Sequence, residues 1–439
     1  MSGATVAVLG FAGMLVLLAL RMPIGLAMLT AGSIGYIWFT SVPVFLNYMK
    51  TTPYHLFANY TLSVIPLFIL MGALAEKSGL STKLFRAAAA FLGHFRGGLG
   101  MALVGACTGF GAICGSSVAT TATFSRAALP ELRKYQYDEG FATGMVAVGG
   151  TLGILIPPSV ILVVYAITTE QNIAKLFMAA LVPGLMAALF YCAVIAIMVR
   201  WNPAAGPALP RVGWAQRLRE LVGIWPVLLL ALVVVGGIYG GVFTPTEGAS
   251  VGVIGMLAVG LLQRTIGWQE VKEALLQTAE TSAMIFLILL GAAVFNAFLA
   301  LSQLPDMAAQ AVAGSGLPPY GIIVLLLVFY IILGGLMDEL AMILLTLPIF
   351  FPIVTALDLG MMSDDIAIWF GILVLIVVGI GLTSPPIGLN VFVVSGIARE
   401  VPIVATYRGV LPFVAADIAR LGIIVAFPGI ALWLVNWLS

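Results

Sequence analysis

Long apolar segments, separated by short polar connections, run through most of the chain. A helix that crosses a bilayer needs about 20 mainly apolar residues. This criterion predicts spans at 4–20, 23–42, 57–75, 141–168, 176–199, 222–241, 248–263, 281–303, 366–396 and 410–437. Two further apolar regions, 98–130 and 319–354, have glycine or polar residues at their centres. We predict that each is a re-entrant hairpin, which enters and leaves the membrane on the same side.

Two of the predicted spans are interrupted by consecutive prolines. Pro157-Pro158 lies within the span 141–168, and Pro385-Pro386 lies within the span 366–396. Two missing amide donors and two bulky rings exclude a continuous helix at these points. Non-helical backbone at membrane depth is tolerated only where it is buried in protein or lines a wet cavity. Matching interruptions in the two halves of a chain indicate a transport site.

The two halves resemble each other in sequence and in order. The segment 61–73 is similar to the segment 281–293, and the Pro-Pro pairs occupy corresponding places. Each half is predicted to contain a span, a hairpin, a broken span and a closing span, and this arrangement predicts inverted repeats. The predicted units are N-terminal scaffold spans (1–75), the first hairpin and broken helix (76–175), scaffold spans with a cytoplasmic loop (176–265), a surface helix and scaffold span (266–303), the second hairpin and broken helix (304–400) and a C-terminal span (401–439). The segments 79–96 and 266–280 are predicted amphipathic helices on the membrane surface.

Composition and charge support this topology. Hydrophobic residues make up 62% of the 439 positions and charged residues 8%, whereas soluble domains carry about 25% charged residues. With both hairpins re-entrant and both termini outside the cytoplasm, most of the 19 basic residues fall on the cytoplasmic side, as the positive-inside rule requires. The net charge of +1 gives no indication of nucleic-acid binding. Isolated histidines and cysteines without metal spacing predict no transition-metal site.

The centre of the first hairpin is rich in glycine and hydroxyl groups. Carbonyls at the end of its first half-helix, together with the hydroxyls of Ser116 and Ser117, suit a hard cation. The N–H groups that begin the second half-helix suit an anion. Close helix packing through small residues is the alternative explanation of the same stretch.

The second hairpin carries Asp338 and Glu339 at its centre. A carboxylate at the middle of a bilayer costs roughly 3 kcal/mol, so it is a functional hypothesis by default. Asp338 either binds a cation or caps the second half-helix, and Glu339 points elsewhere and faces water at a rim. On the last span, Asp417 and Arg420 are three residues apart, which predicts an internal ion pair.

Four motifs together resemble the large membrane subunit of tripartite ATP-independent periplasmic (TRAP) transporters, and the resemblance covers nearly the whole chain. They lie at 115–119, 157–159, 337–350 and 384–390. The family implies a sodium-coupled importer of organic acids, such as C4-dicarboxylates, sialic acid or sugar acids, in the bacterial inner membrane. It also implies an elevator-type fold of the ion-transporter superfamily, in which hairpins and broken helices move against a scaffold.

The same resemblance implies partners and individual site residues. Partners are a periplasmic substrate-binding protein and a small four-span membrane subunit, expected as a separate chain because this one begins with its large-subunit spans. No cofactor is implied besides sodium as the coupling ion. By position, the first sodium site involves Gly115, Ser116, Ser117, Gly150, Gly153 and Pro157. The second involves Gly335, Asp338, Thr383, Ser384 and Pro386, and the substrate is expected between the hairpin tips near Ser117, Ser159, Ala341 and Asn390.

Two other functions stay open at this point. A stand-alone proton- or sodium-coupled carboxylate transporter or exchanger would use Asp338 or Glu339 without any binding protein. A membrane-embedded enzyme would use the same pair as acid and base, but neither break has a partner His, Cys or nucleophile. The chain also lacks the GxxxxGK[ST] motif of the usual ATP site. The sequence therefore predicts a transporter and not an enzyme.

Overall fold

The computed structural model describes residues 2–314 and 316–438, which form α-helices joined by short turns, with no β-strand among them. The first half contains α1 (Gly3–Ala19), α2 (Ile24–Phe39), α3 (Val42–Phe57), α4 (Val64–Lys77), α5 (Leu80–Leu92), α6 (Gly98–Cys114), α7 (Ser117–Lys134), α8 (Glu139–Leu155), α9 (Val160–Thr168) and α10 (Ile173–Trp201). The second half contains α11 (Trp214–Tyr239), α12 (Pro245–Leu262), α13 (Trp268–Ser302), α14 (Leu304–Ala313), α15 (Pro319–Gly334), α16 (Glu339–Thr355), α17 (Ser363–Thr383), α18 (Leu389–Ile397), α19 (Ile403–Ala426) and α20 (Gly429–Leu438).

Every predicted span overlaps at least one of these helices, so the all-helical, polytopic membrane fold is confirmed. Within the described residues, seven helices are long and apolar enough to cross a membrane. The number is eight if α8 and α9, which meet at an angle of 45°, are counted as one broken span. The predicted hairpins are the helix pairs α6–α7 and α15–α16, and the second broken span is the pair α17–α18.

Two local predictions differ from the structure, and the helix α3 was not predicted. The separate surface helix expected at 266–280 is wrong, because the chain runs unbroken from Trp268 into the next span and forms a helix of 35 residues. No proline or glycine separates the polar and apolar parts of this helix, so nothing ends it. Conversely, Pro428 divides the single span expected at 410–437 into α19 and α20. The helix α3 was not predicted, since its polar residues interrupt the apolar run and none of its residues is buried.

The helices fall into two groups by their packing. In the first group, α2 lies along α13, while α12 and α13 lie along α4. A Cβ on Gly32 of α2 would stand 2.7 Å from the Cα of Phe295, so only glycine permits this approach. In the second group, α8 packs against α7 and α19, α15 and α16 pack against α17, and α10 packs against α19 and α20. The predicted boundaries between scaffold and transport units stay a prediction.

The two broken spans form the centre of the second group. All residues from Ile366 to Thr383 on α17 are buried. The same is true of α8 from Phe141 to Leu155. Helices enclosed on all sides have no polar face, which explains why these segments are apolar all round.

Loops predicted to share the cytoplasmic side lie together at one end of the molecule. The Lys77 ammonium is 2.6 Å from the Glu273 carboxylate, and Arg133 forms an ion pair with Glu400. Further contacts join Lys83 to Gln263, Gly97 to Gly206, and Asp138 to Ala205. This grouping is what two re-entrant hairpins require, because a full span at either place would send the following loops to the other end.

Candidate functional site

The tip of the first hairpin packs against the first Pro-Pro break. Gly115 ends α6 with a φ of 64°, and a Cβ there would stand 2.8 Å from the carbonyl oxygen of Pro158. The Val160 amide donates to the Gly115 carbonyl across 3.4 Å. Ser116 then caps α7, since its hydroxyl accepts from the Ala119 amide at 3.3 Å. A positive φ and a close backbone contact explain why glycine occupies this tip.

The same tip also lies against the last two turns of α8. A Cβ on Gly153 would stand 2.5 Å from the Ser116 carbonyl oxygen, and one on Gly150 would stand 3.1 Å from the Ser117 carbonyl oxygen. Pro157 is buried in the adjoining break. The structure therefore brings together all the residues predicted for the first sodium site.

The second hairpin repeats this contact at the other break. The Ile387 amide donates to the Gly335 carbonyl at 3.1 Å, and a Cβ on Gly335 would stand 3.0 Å from the Cδ of Pro386. The Thr383 hydroxyl donates to carbonyls in the last turn of α17, the closer of which is that of Ile380 at 3.1 Å. Ser384 is half-buried beside them. In each half, the carbonyl of a tip glycine thus accepts a hydrogen bond from a backbone amide just after the Pro-Pro pair. Two related repeats are expected to share such a contact.

Asp338 caps the second half-helix of this hairpin. Its Oδ1 accepts from the amides of Leu340 at 3.0 Å and Ala341 at 3.4 Å. This confirms the capping alternative without excluding a cation, because a carboxylate has further lone pairs. The next residue, Glu339, has one carboxylate oxygen that is buried without a hydrogen-bond partner in the described chain.

A cavity of about 470 Å³ lies between the two hairpin tips and the helices α4 and α13. Ser116 lines it from the first hairpin, and Asp338 and Glu339 line it from the second. Glu76 of α4 adds a third carboxylate, and Arg126 of α7 approaches this group to 3.7 Å. The cavity therefore spans the boundary between the two packing groups.

Asn390 joins the two halves directly behind the cavity wall. Its side-chain amide donates to the Ser117 hydroxyl at 2.8 Å and to the Ala147 carbonyl at 3.0 Å. All four residues predicted to bind substrate, Ser117, Ser159, Ala341 and Asn390, are 0% exposed and lie beneath the residues that line the cavity. The Ser159 hydroxyl and the Asn390 carbonyl oxygen have no hydrogen-bond partner among the described residues, and buried oxygens normally have one.

Three further residues, Thr120, Thr121 and Tyr407, belong to this region and were not predicted as site residues. The hydroxyls of Thr121 and Thr120 face Gly150 and Gly153, and both threonines lie in the hydroxyl-rich stretch of the first hairpin. Tyr407 of α19 donates to the carbonyl of Ile387, just after the second break. A tyrosine 20 positions further along the chain gives no local indication of that contact.

The atoms of this region that could bind an ion are the oxygens of carbonyl, hydroxyl and carboxylate groups. Oxygen ligands of this kind suit hard cations. Within the described residues, no group of three or more His, Cys, Asp and Glu side chains could hold a metal ion. The arrangement therefore places oxygen ligands at the two tip–break contacts and the N-terminus of α7 beside the cavity.

Comparisons with known proteins agree with this geometry. The family model of the tripartite ATP-independent periplasmic transporter, DctM component, matches residues 11–430. The C4-dicarboxylate TRAP transporter large permease protein DctM of Pseudomonas aeruginosa is 39% identical over 385 residues, which are 87% of each chain. The sialic acid TRAP transporter large permease protein SiaM of Vibrio cholerae is 30% identical over 379 residues, which are 86% of each chain. The crystal structure of the Alcanivorax borkumensis YdaH transporter has a similar fold, with a TM-score of 0.63, 90% coverage of each chain and 16% identity.

Proposed function

Because the chain belongs to the DctM family of TRAP transporter large permeases, we propose that it is a sodium-coupled importer of organic acids with an elevator mechanism. It is a multi-pass inner-membrane transporter subunit and not an enzyme, since its relatives are named transporter permeases. TRAP large subunits work with a small membrane subunit and a periplasmic binding protein. We propose that the small subunit has four spans and is a separate chain.

The observation that best supports this function is the matched contact of each hairpin tip with a Pro-Pro break. Gly115 and Gly335 occupy equivalent places, and the oxygens around them are suited to one cation each. Two bound sodium ions would offset the negative charge of a carboxylate during its passage through the membrane, where an uncompensated charge is costly. The coupling ion and the anion would therefore move together.

The substrate class follows from relatives and from the site in combination. The relatives carry C4-dicarboxylate and sialic acid according to their names, and both compounds are carboxylates. The N-terminal turn of α7 lies beside the cavity, where a carboxylate is favoured by the helix dipole. We therefore propose a small carboxylate as the transported compound.

The residues that line the cavity support a proposal about the side to which this conformation is open. Its lining includes Glu76 and Gln277, which adjoin the Lys77–Glu273 ion pair at the predicted cytoplasmic end. We propose that the conformation faces the cytoplasm. In the opposite state, the second packing group would slide against the first and carry both hairpin tips towards the periplasm.

Two substitutions at Asp338 test the sodium coupling. Asp338→Asn keeps an oxygen that caps α16 and removes the charge, whereas Asp338→Ala removes both. In proteoliposomes that also contain the partner proteins, both variants are expected to lose sodium-dependent uptake. The amount and thermal stability of inserted Asp338→Asn protein should match wild type. Full sodium-dependent uptake by Asp338→Asn would leave Asp338 only a capping role and would contradict the proposed second site.

The rival function is a stand-alone transporter coupled to protons or sodium. It predicts uptake without a binding protein, or uptake that follows a pH gradient when sodium is absent. Measuring uptake with and without the binding protein, in sodium chloride and in choline chloride, separates the two. Undiminished uptake in choline chloride without the binding protein would overturn the proposal.

A further inference from the structure

A chain of buried hydrogen bonds connects the end of α8, in the first broken span, to α10 and α19. The Thr151 hydroxyl lies 3.1 Å from the Tyr191 hydroxyl. The Tyr191 hydroxyl donates to the Asp417 carboxylate at 2.8 Å, and the Arg420 guanidinium donates to the same carboxylate at 2.7 Å. All four side chains are buried. The ion pair predicted from sequence is therefore the end of a longer network.

The direction of this network follows from the chemistry of its members. An ionised carboxylate accepts only, so the single Tyr191 proton goes to Asp417. The oxygen of Tyr191 is then left as an acceptor, and the one proton of the Thr151 hydroxyl is shared between this oxygen at 3.1 Å and the Val148 carbonyl of its own helix at 2.7 Å. Arg420 is held in turn by the carbonyl of Pro183 on α10 at 3.1 Å. The ion pair thus orients Tyr191, and Tyr191 and the Val148 carbonyl together orient the Thr151 hydroxyl.

Thr151 lies on the side of α8 that faces away from the first hairpin. Gly150 and Gly153, three positions apart, share the face that contacts the hairpin tip, while Thr151 is turned by about 100° or more from both. Its Cβ also lies 3.7 Å from the position of a Cβ on Gly379 of the second broken span. The end of α8 is therefore held between the hairpin tip on one side and this network on the other.

A purely stabilising role does not account for the ion pair. Burying two charges costs desolvation energy that their attraction often fails to recover, and apolar replacements of such pairs are often neutral or stabilising. Ionisable groups within a membrane protein are correspondingly rare and tend to have a functional reason. In this protein the pair holds Tyr191, which connects it to the end of α8 beside the first site.

We propose that Tyr191, oriented by the Asp417–Arg420 pair, is a positioning residue that holds the end of α8 in place and thereby sets the sodium affinity of the first site. This inference rests on the proposed sodium coupling. It assigns no ligand to Tyr191 itself, which acts on the site through Thr151. The second site, at Gly335 and Pro386, should be affected less.

The variants Tyr191→Phe and Thr151→Val remove one hydroxyl each and leave the ion pair intact. Tyr239→Phe is the matched control, because its hydroxyl also donates to α10, at the Phe177 carbonyl across 2.9 Å, without any connection to the break. In proteoliposomes with the partner proteins, the first two variants should raise the half-saturating sodium concentration about three- to tenfold, as expected for loss of one hydrogen bond. Their maximal uptake should be retained, and the control should match wild type.

Hydrogen–deuterium exchange provides a second measurement that does not depend on sodium. Amides 148–155 should exchange faster in Tyr191→Phe and Thr151→Val than in wild type and the control. If wild-type uptake shows no sodium dependence, the proposed function is contradicted, and this exchange measurement alone decides whether the network positions α8. Where wild-type uptake depends on sodium, an unchanged sodium affinity in both variants would overturn the inference. Where it does not, unchanged exchange of amides 148–155 in both variants would overturn it.

Discussion

Individual residues at the two hairpin tips are determined by local stereochemistry. Gly115 has a φ of 64° and no room for a side chain. Gly335 has an ordinary φ of −75°, and a side chain there would crowd Pro385 and Pro386. Asn390, by contrast, is determined by distant contacts, because its side-chain amide donates to two groups of the other half. A buried amide with two satisfied donors fixes the relative position of the halves.

Replacing Gly115 by alanine should damage the first site. The left-handed backbone conformation costs alanine about 1–2 kcal/mol, and its Cβ would stand 2.8 Å from the Pro158 carbonyl oxygen. We expect lower thermal stability in detergent and loss of most uptake. Gly105→Ala, on the same hairpin helix, is the control, since no atom lies within 4 Å of its Cβ. Wild-type sodium affinity and uptake in Gly115→Ala would show that the tip–break contact is not needed.

At the scale of elements, the predicted cytoplasmic ends of the two halves are joined by an ion pair. Arg133, at the end of α7, contacts Glu139 at the start of α8 and Glu400 before α19. A hydrogen bond from its own backbone N–H and the guanidinium of Arg133 hold the pKa of the Glu400 carboxyl below its ordinary value. Glu400 is exposed to solvent, so solvent screening keeps its contribution to stability small.

The pH dependence of this contribution has a definite sign. A lowered carboxyl pKa stabilises the folded state above the unfolded value of about 4.3, and the effect is lost as the pH falls through the lower folded value. Wild type should therefore be slightly more stable to heat than Glu400→Gln at pH 7, and the two should converge below about pH 4. High salt should also reduce the difference.

Glu131→Gln serves as the control for this experiment, because Glu131 pairs with Lys134 on its own helix, at 3.5 Å. This variant removes an exposed carboxylate without separating two segments. A difference between wild type and Glu400→Gln that stayed constant from pH 7 to pH 3 would contradict a role for the charged form of Glu400.

At the scale of the whole molecule, few polar contacts cross from one packing group to the other near the cavity. The pair formed by Glu76 on α4 and Arg126 on α7 is one, with 3.7 Å between nitrogen and oxygen. By contrast, the pair Lys77–Glu273 joins α4 to α13 within the first group. The two pairs lie at the same end of the molecule and differ in whether an elevator movement would separate their partners.

Cross-linking these two pairs tests the elevator movement. In a background with Cys107, Cys114 and Cys192 replaced by alanine, Glu76→Cys/Arg126→Cys joined by a cleavable bifunctional maleimide should stop uptake. Cleavage of the linker should restore the rate measured for the same variant before cross-linking. Lys77→Cys/Glu273→Cys, cross-linked equally, should keep its uptake. Continued transport by the fully cross-linked first variant would contradict sliding of α7 past α4.

Much of this architecture could be predicted from the sequence, because the relevant chemistry is local. Two prolines end a helix wherever it packs, a segment of about 20 apolar residues partitions into a bilayer on its own, and an aspartate caps the residues that directly follow it. The breaks, the hairpins and the cap at Asp338 follow from these facts. Errors arose where local chemistry was ambiguous, as at Trp268, where a polar stretch continues into an apolar span without a breaker.

Only the tertiary structure decided which distant side chains meet. The hydrogen bond of Asn390 to Ser117 joins residues 273 positions apart, and that of Tyr191 to Asp417 joins residues 226 positions apart. The same packing buries the residues predicted to bind substrate and leaves their neighbours to line the cavity. The sequence by itself therefore determined the helices, their interruptions and their chemistry, since each depends on a segment's own backbone and solvent. The geometry of the site depends on how these helices pack, which no single segment determines.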